Sequence, residues 1–530
     1  MDTPTFSTAA VAAPHRLAAL TGQAILAAGG NAIEAMVAMA ATIAVVYPHM
    51  NAIGGDGFWV VREPGGKVLG IEACGQAGSL ATRERYRGLG HDSIPFRGPD
   101  AAVTVAGTIG GWQVALDYAR SLGGRMALAD LLADAVRFAK DGCDVTASEL
   151  RTEPNERDAL WQAPGFAETF GFEGKPPKAG DIRRNPKLAD TLSHLASAGL
   201  DDFYRGDVGR EIGADLERLG MPVTRSDYAA YRAVTRTPLE ARLKGARVYN
   251  MPPPTQGIAA LLILGIYERL GITGREGVRH HHGLIEATKR AFRIRDRVVT
   301  DFGWLATDPQ SLLTADLFTK EAAAIDMNRA APFPSLTDSG DTIWMGAIDA
   351  SGLTVSFIQS VYWEWGSGCV LPKTGIVLQN RGASFSLEPK AVNPLEPGRR
   401  PFHTLNPALA AFDDGRVMAY GSMGGDGQPQ FQAQLYTRYS DLGESVAKAV
   451  DSPRWLLGRT WGSTSTSLKM ENRFDPEITD GLARLGHEVE IVPAGYSDGL
   501  GHAGMLVKYP KNGRVEAMHD PRSDGGAEGL

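Results

Sequence analysis

Cysteine is scarce: Cys74, Cys143 and Cys369 are the only three in 530 residues. An odd number so widely spaced excludes a disulfide framework and a zinc-ligand pattern. Basic tracts are missing, and a net charge of −7 argues against a surface for nucleic acid or anionic membrane. Long hydrophobic runs are missing too, since the longest, Ala35 to Tyr47, is too short to span a bilayer and ends at Pro48. The N-terminus, Met1-Asp-Thr-Pro-Thr-Phe-Ser7, lacks a basic region followed by an apolar core, so no secretory signal and a cytoplasmic location are expected. There is no Gly-x-Ser-x-Gly elbow and no His-Glu-x-x-His zinc motif, which removes the usual serine-hydrolase and metallohydrolase readings. No internal repeat, low-complexity segment or long Pro/Gly/Ser linker breaks the chain into autonomous domains.

What is present is a large apolar fraction, 43%, enough for a sizeable core. Helical spacing runs over His15 to Ala28 and stops at Gly29-Gly30. Asn31 with Glu34 then forms a capping-box pattern ahead of an apolar helix. Gly54-Gly-Asp-Gly57 leads into strands at Phe58–Val61 and Val68–Glu72. Helical patterns cover Trp112 to Leu122 and Leu128 to Ala139. Met251-Pro-Pro-Pro-Thr-Gln-Gly257 opens another helix, Ile258 to Leu270, and His280 to Thr300 reads as one more, basic on its exposed side. Strands gather at 58–72 and 342–421, so sheet layers covered by helices are expected to share one core.

Two places carry chemistry. Residues 331–341 read as an exposed loop, followed at once by strands Thr342–Ile348 and Thr354–Tyr362 around an Asp349–Gly352 turn. A Thr that opens a strand is ordinarily structural. If the bond after Asp341 were cut, however, Thr342 would hold a hydroxyl nucleophile and an α-amine that titrates near pH 8, so nucleophile and base would be one residue. The second place is Gly421-Ser-Met-Gly-Gly-Asp-Gly427, which joins a hairpin (Pro407 to Gly421) to a helix over Gln428 to Leu442. Such an entry points unpaired N–H groups outward, towards an oxyanion or a phosphate, although it lacks P-loop or dinucleotide spacing. His280-His281-His282 cannot converge on one ion because adjacent helical residues diverge, and solvated or capping roles are expected. Trp363 and Trp365 read equally as a packed loop or as a pocket wall.

In these segments the chain resembles the γ-glutamyltransferase family of N-terminal-nucleophile hydrolases. The matching signatures are Gly29-Gly-Asn-Ala-Ile-Glu-Ala35, Pro48-His49, Gly54-Gly-Asp-Gly-Phe58, Met251-Pro-Pro-Pro254, Gly340-Asp-Thr342, Gly366-Ser-Gly368, Leu378-Gln-Asn-Arg381, Arg400-Pro-Phe-His-Thr404, Gly421-Ser-Met-Gly-Gly425 and Asp520-Pro-Arg522. The resemblance implies an α+β, four-layer αββα sandwich and a precursor that cuts itself between Asp341 and Thr342. A large subunit, residues 1–341, and a small one, 342–530, would stay together as an α/β heterodimer, with pairing of two heterodimers a further expectation. It implies Thr342 as nucleophile, Gly424 and Gly425 as oxyanion glycines, Ser360 beside the nucleophile and Thr404 as a substrate contact. No metal or cofactor is called for.

Departures from the family point away from γ-glutamyl substrates. Cys74 falls where the family places an Arg for the α-carboxylate, and Ser384 where it places an Asp for the α-ammonium. Loss of those paired charges removes the grip on an amino-acid headgroup. Leu387 to Arg399 also reads as shorter than the family's lid, which favours water over an amine acceptor. The resemblance therefore implies hydrolysis of a small amide such as oxamate, to oxalate and ammonia in purine breakdown. Arg381, His403 and neighbouring Asn380 are the candidates for seating such a substrate. Glutathione hydrolase or γ-glutamyl transferase activity is the alternative, and an uncut binding protein a third.

Overall fold

The computed structural model describes residues 2–151, 154–333, 341–459 and 465–530. Most of the loop expected before Thr342, residues 334–340, lies outside that set. The hairpin after it forms as expected. Asp341–Ile348 pairs antiparallel with Thr354–Tyr362. In the turn, Asp349 Oδ1 accepts the N–H groups of Ser351 (2.9 Å) and Leu353 (3.2 Å).

This hairpin is the middle of a seven-stranded sheet. On one side follow Asp56–Arg62, Val68–Ala73 and Val234–Arg236, and on the other Ala10–Ala13 and Gly526–Gly529. A second seven-stranded sheet runs Thr5–Phe6, Val515–His519, Ala503–Lys508, Val417–Ser422, Ala408–Phe412, Ala246–Asn250, Leu239–Leu243. Strand side chains alternate between faces, and the sequence uses both. Ile343, Met345, Ala347, Val355 and Phe357 join a core with Met36, Met39 and Ile43 of the helix Ala32–Val46. Trp344, Ile348, Phe58, Val60 and Ile358 turn the other way and meet Leu409, Ala419 and Leu506 of the second sheet. That sheet's outer face packs Val248, Ala410 and Met418 on Leu262 of the helix Gly257–Arg269 and on Phe431 of the helix Gln428–Ser440.

Trp344 shows how tightly the two sheets meet. A Cβ at Gly421 would lie 2.3 Å from its Cδ1, and one at Gly504 would lie 2.2 Å from its Cζ3. Both strand positions therefore hold glycine for want of space, because overpacked cores cost about 1–3 kcal/mol. The Asn31 capping box is present: Asn31 Oδ1 accepts from Glu34 N (3.0 Å) and Glu34 Oε2 accepts from Asn31 N (2.8 Å).

The histidine triplet departs from expectation. His280, His281 and His282 are buried rather than solvated, because their helix, Val278–Val298, is covered by Gly257–Arg269, Ala315–Ala323, Gln428–Ser440 and Pro476–Arg484. His282 turns to His487 and Asp326 O, whereas the His280 and His281 rings meet edge to face with centroids 5.0 Å apart beside Glu276. His280 pairs with Tyr267, while His281 Nδ1 accepts the indole N–H of Trp455 (3.1 Å). That leaves the His281 proton on Nε2, facing Glu276 at 3.2 Å. No helix among the described residues is long and apolar enough to cross a membrane.

Candidate active site

The ends of the central strands bring the candidate residues Thr342, Ser360 and Asp56 together. Ser360 lies directly opposite Asp56 in the register. The register shifts between Asp341 and Ile343, so the strand is irregular at Thr342. Thr342 is buried. Its Oγ1 donates to Ser360 Oγ (3.3 Å), which accepts the N–H of Tyr362 (2.7 Å). Gln428 Nε2 donates to Thr342 Oγ1 (3.4 Å), while Gln428 Oε1 accepts from Asn406 N (3.2 Å). Sequence reasoning placed Thr342 and Ser360 but missed Gln428, whose only signal is that it is the first residue of a helix behind a glycine turn.

Gly424 and Gly425 sit in that turn with φ of 116° and 51°, left-handed values that favour glycine. The N–H groups of both donate to no other described residue, while Gly424 O accepts from Gly427 N (2.7 Å). Two successive amides without an acceptor are the kind of arrangement that can receive an anion. On the far side, Met423 N donates to His502 O (3.1 Å), and Arg454 donates to Leu500 O (2.9 Å) and Gly501 O (2.7 Å). Arg454 pairs with Asp520, which also accepts from Arg522 (3.0 Å), so the Asp520-Pro-Arg522 signature braces this wall. The nearby helix is tied down by side-chain amides. Gln430 and Gln434 bond the backbone of Leu457 and Trp455, and Gln432 donates to Asn406 O.

The candidate substrate residues form a buried polar cluster. Arg381 is 1% exposed, stacks on the Tyr362 ring (3.7 Å) and donates through Nη2 to Thr404 Oγ1 (3.3 Å). Its Nη1 has no partner, and it makes no ion pair among the described residues. Burial pulls its guanidinium down to about 10, so it stays charged at neutral pH. Tyr362 itself has φ +84° and Trp365 φ +65°, strained values for non-glycine residues that cluster at functional sites.

His403 is buried, with Nε2 3.4 Å from Asp56 Oδ2, and burial plus the Arg381 and Arg400 charges hold it neutral. Asp56 Oδ1 accepts the N–H groups of Gly75 and Gly107 (3.1 Å each), yet burial still lifts its carboxyl to about 7. Asn380 is fully engaged with backbone: Oδ1 accepts from Trp363 N (3.1 Å) and Nδ2 donates to Phe96 O (2.9 Å). Its amide positions the Trp363 loop. Ser384 Oγ lies 3.0 Å from both Arg381 O and Phe402 O, which share its one proton, and Cys74 is a buried thiol. Trp365 walls a cavity of about 240 Å³ with Trp161, Phe166, Phe170 and Arg183, which none of the residues around Thr342 lines.

Residues 18–530 match the model of the gamma-glutamyltranspeptidase family. The oxamate amidohydrolase proenzyme of Klebsiella pneumoniae is 52% identical over 518 residues, 98% of this chain and 97% of its own length. The glutathione hydrolase-like YwrD proenzyme of Bacillus subtilis is 38% identical over 524 residues, 98% of each chain. Among solved structures, the cephalosporin acylase from Bacillus halodurans superposes with a TM-score of 0.90 at 32% identity, covering 100% of this chain and 97% of that one.

Proposed function

The chain belongs to the gamma-glutamyltranspeptidase family and is an N-terminal-nucleophile amidohydrolase, and we propose that it matures by cutting itself before Thr342 and then hydrolyses a small carboxylate-bearing amide, oxamate first among candidates. In self-cleavage the Thr342 hydroxyl attacks the Asp341 carbonyl and the acyl group passes from nitrogen to oxygen. Water then hydrolyses the ester, leaving the Asp341 carboxylate and a free Thr342 amine. Residues 1–341 and 342–530 remain one four-layer αββα unit as an α/β heterodimer. The three cores described above support it, because cutting the chain at 341/342 leaves the central sheet paired.

In turnover the Thr342 hydroxyl attacks the amide carbonyl and its proton passes to the α-amine. The Gly424 and Gly425 N–H groups receive the oxyanion. The C–N bond then breaks, the amine returns the proton, and ammonia departs. Water resolves the acyl-enzyme, releasing oxalate and the free hydroxyl.

The observation that carries the substrate class is Arg381, beside Thr404, a buried guanidinium whose Nη1 makes no hydrogen bond and which feels the Asp56 carboxyl only at longer range. A substrate carboxylate supplies the missing anion in bidentate form. Ser384 offers no negative charge to an α-ammonium, which disfavours a γ-glutamyl headgroup. Arg399 pins the 387–399 segment through Thr300 Oγ1 (2.6 Å) and Val392 O (2.9 Å). Ammonia release from oxamate set against p-nitroaniline release from γ-glutamyl-p-nitroanilide tests the assignment. The reading expects kcat/KM at least about 100-fold higher for oxamate, an asymmetry typical of sites with buried polar partners. The reverse order refutes it.

A further inference from the structure

The Met251-Pro-Pro-Pro-Thr-Gln-Gly257 entry ends in a fully buried glutamine to which the mechanism above gives no part. Gln256 Nε2 donates to two carbonyls at once, Gly425 O (2.8 Å) and Thr404 O (2.9 Å). Its Oε1 accepts from Arg295 Nη1 (2.8 Å), which also donates to Asp426 Oδ1 (2.9 Å). A guanidinium only donates, so the amide cannot be flipped: oxygen faces Arg295 and the NH2 faces the carbonyls.

We infer that Gln256, oriented by Arg295, is a positioning residue that sets the oxyanion glycines in register with the substrate seat. This rests on the reading of Gly424 and Gly425 as oxyanion donors. The need for it follows from their composition. Two glycines in left-handed conformations have peptide planes that no side chain restrains. The Gly427 N–H holds the Gly424 carbonyl, so the trans Gly425 N–H points the opposite way. Gln256 shares the next carbonyl, that of Gly425, with the Gln428 N–H, and so anchors the Gly425–Asp426 peptide that follows the two donor amides. Its second hydrogen holds the Thr404 carbonyl, and the Thr404 hydroxyl takes the Arg381 N–H. One side chain thus spaces the carboxylate seat from the oxyanion site, across contacts 148 and 169 residues apart in sequence.

Gln256→Glu isolates this role. The carboxylate keeps the volume and pairs well with Arg295, yet presents no donor to either carbonyl. Gln256→Met, also similar in size, removes the donors without adding charge. For both variants kcat on oxamate should fall about 10–100-fold, less than loss of an oxyanion donor itself. KM should rise only about 2–5-fold and the melting temperature should stay within about 3 °C of the parent. An uncut Gln256→Glu chain that melts like the parent supports the inference equally, because attack on the Asp341 carbonyl also develops an oxyanion. A kcat within about twofold of the parent in both variants overturns it. So does a loss of activity that tracks loss of melting temperature in both, which makes the role structural. Gly425→Ala separates the two readings: if it keeps the parent's kcat, the oxyanion assignment fails whatever Gln256 does. If it falls while Gln256→Glu does not, only the present inference fails.

Discussion

Around Gly424 and Gly425, buried side chains donate into backbone carbonyls: Gln256 into Gly425 and Thr404, Gln430 into Asp426, Arg454 into Leu500 and Gly501. Around Arg381 the buried groups are less engaged: Arg381 Nη1 and His403 Nδ1 make no hydrogen bond, and His403 Nε2 and Asp56 Oδ2 face each other at 3.4 Å without one. Both regions are buried, so solvent does not explain the contrast. An unmade hydrogen bond in the interior costs about 1–3 kcal/mol, and a charge left unpaired costs more. Open atoms occur beside the turn as well, at Arg295 Nη2 and both Asn406 amide atoms, but Arg295 has carboxylates in Asp296 and Asp426 within 3 Å, whereas Arg381 has none at that range.

Removing the nucleophile is the most severe way to break this comparison. Thr342→Ala should abolish both self-cleavage and turnover, seen as one full-length band on a denaturing gel and no ammonia release. Gly425→Ala comes next. Alanine at φ +51° costs about 1–2 kcal/mol of backbone strain, so the chain should fold, while kcat falls about 100–1,000-fold from the displaced amide.

Arg381→Met tests the open side. KM for oxamate should rise at least about 30-fold, the low end for losing a buried charge contact. The unliganded variant should melt close to the parent, since removing a buried cation that lacks an ion pair offsets loss of the Tyr362 stack and the Thr404 hydrogen bond. A lower melting point with unchanged KM would assign Arg381 a structural role instead.

The smallest effect concerns Asp56. Its folded pKa of about 7 lies above the unfolded carboxyl value near 3.9, so between those values the folded chain holds a proton that the unfolded chain has lost. This carboxyl's contribution to stability therefore declines as pH rises across that window and is flat outside it, by at most about 4 kcal/mol. Asp56→Asn keeps an acceptor for Gly75 and Gly107 and removes the titration. The variant should gain stability relative to the parent between pH 4 and 7 in denaturant unfolding. A constant difference across the window would show that Asp56 does not titrate there.

Much of the attack side was legible in the sequence because it is local. The hairpin, its Asp349 turn, the Asn31 capping box and the glycine turn each depend on residues a few positions apart. Gln256, Arg295 and Gln428 were not legible, since their roles come from contacts between elements far apart in the chain. The burial of His280 to His282 escaped notice for the same reason: a helix with basic residues on one side gives no sign of how many neighbours cover the rest. Arg381 was found through a motif, but its open valence is visible only when every neighbour is in place.

The central claim is that one threonine, freed by cleavage, supplies both the attacking oxygen and the base. Intact mass and N-terminal sequencing of the purified, active protein test it most directly. The account predicts two chains, the smaller beginning Thr-Ile-Trp-Met at Thr342. A single uncut chain that hydrolyses its amide at full rate would contradict it.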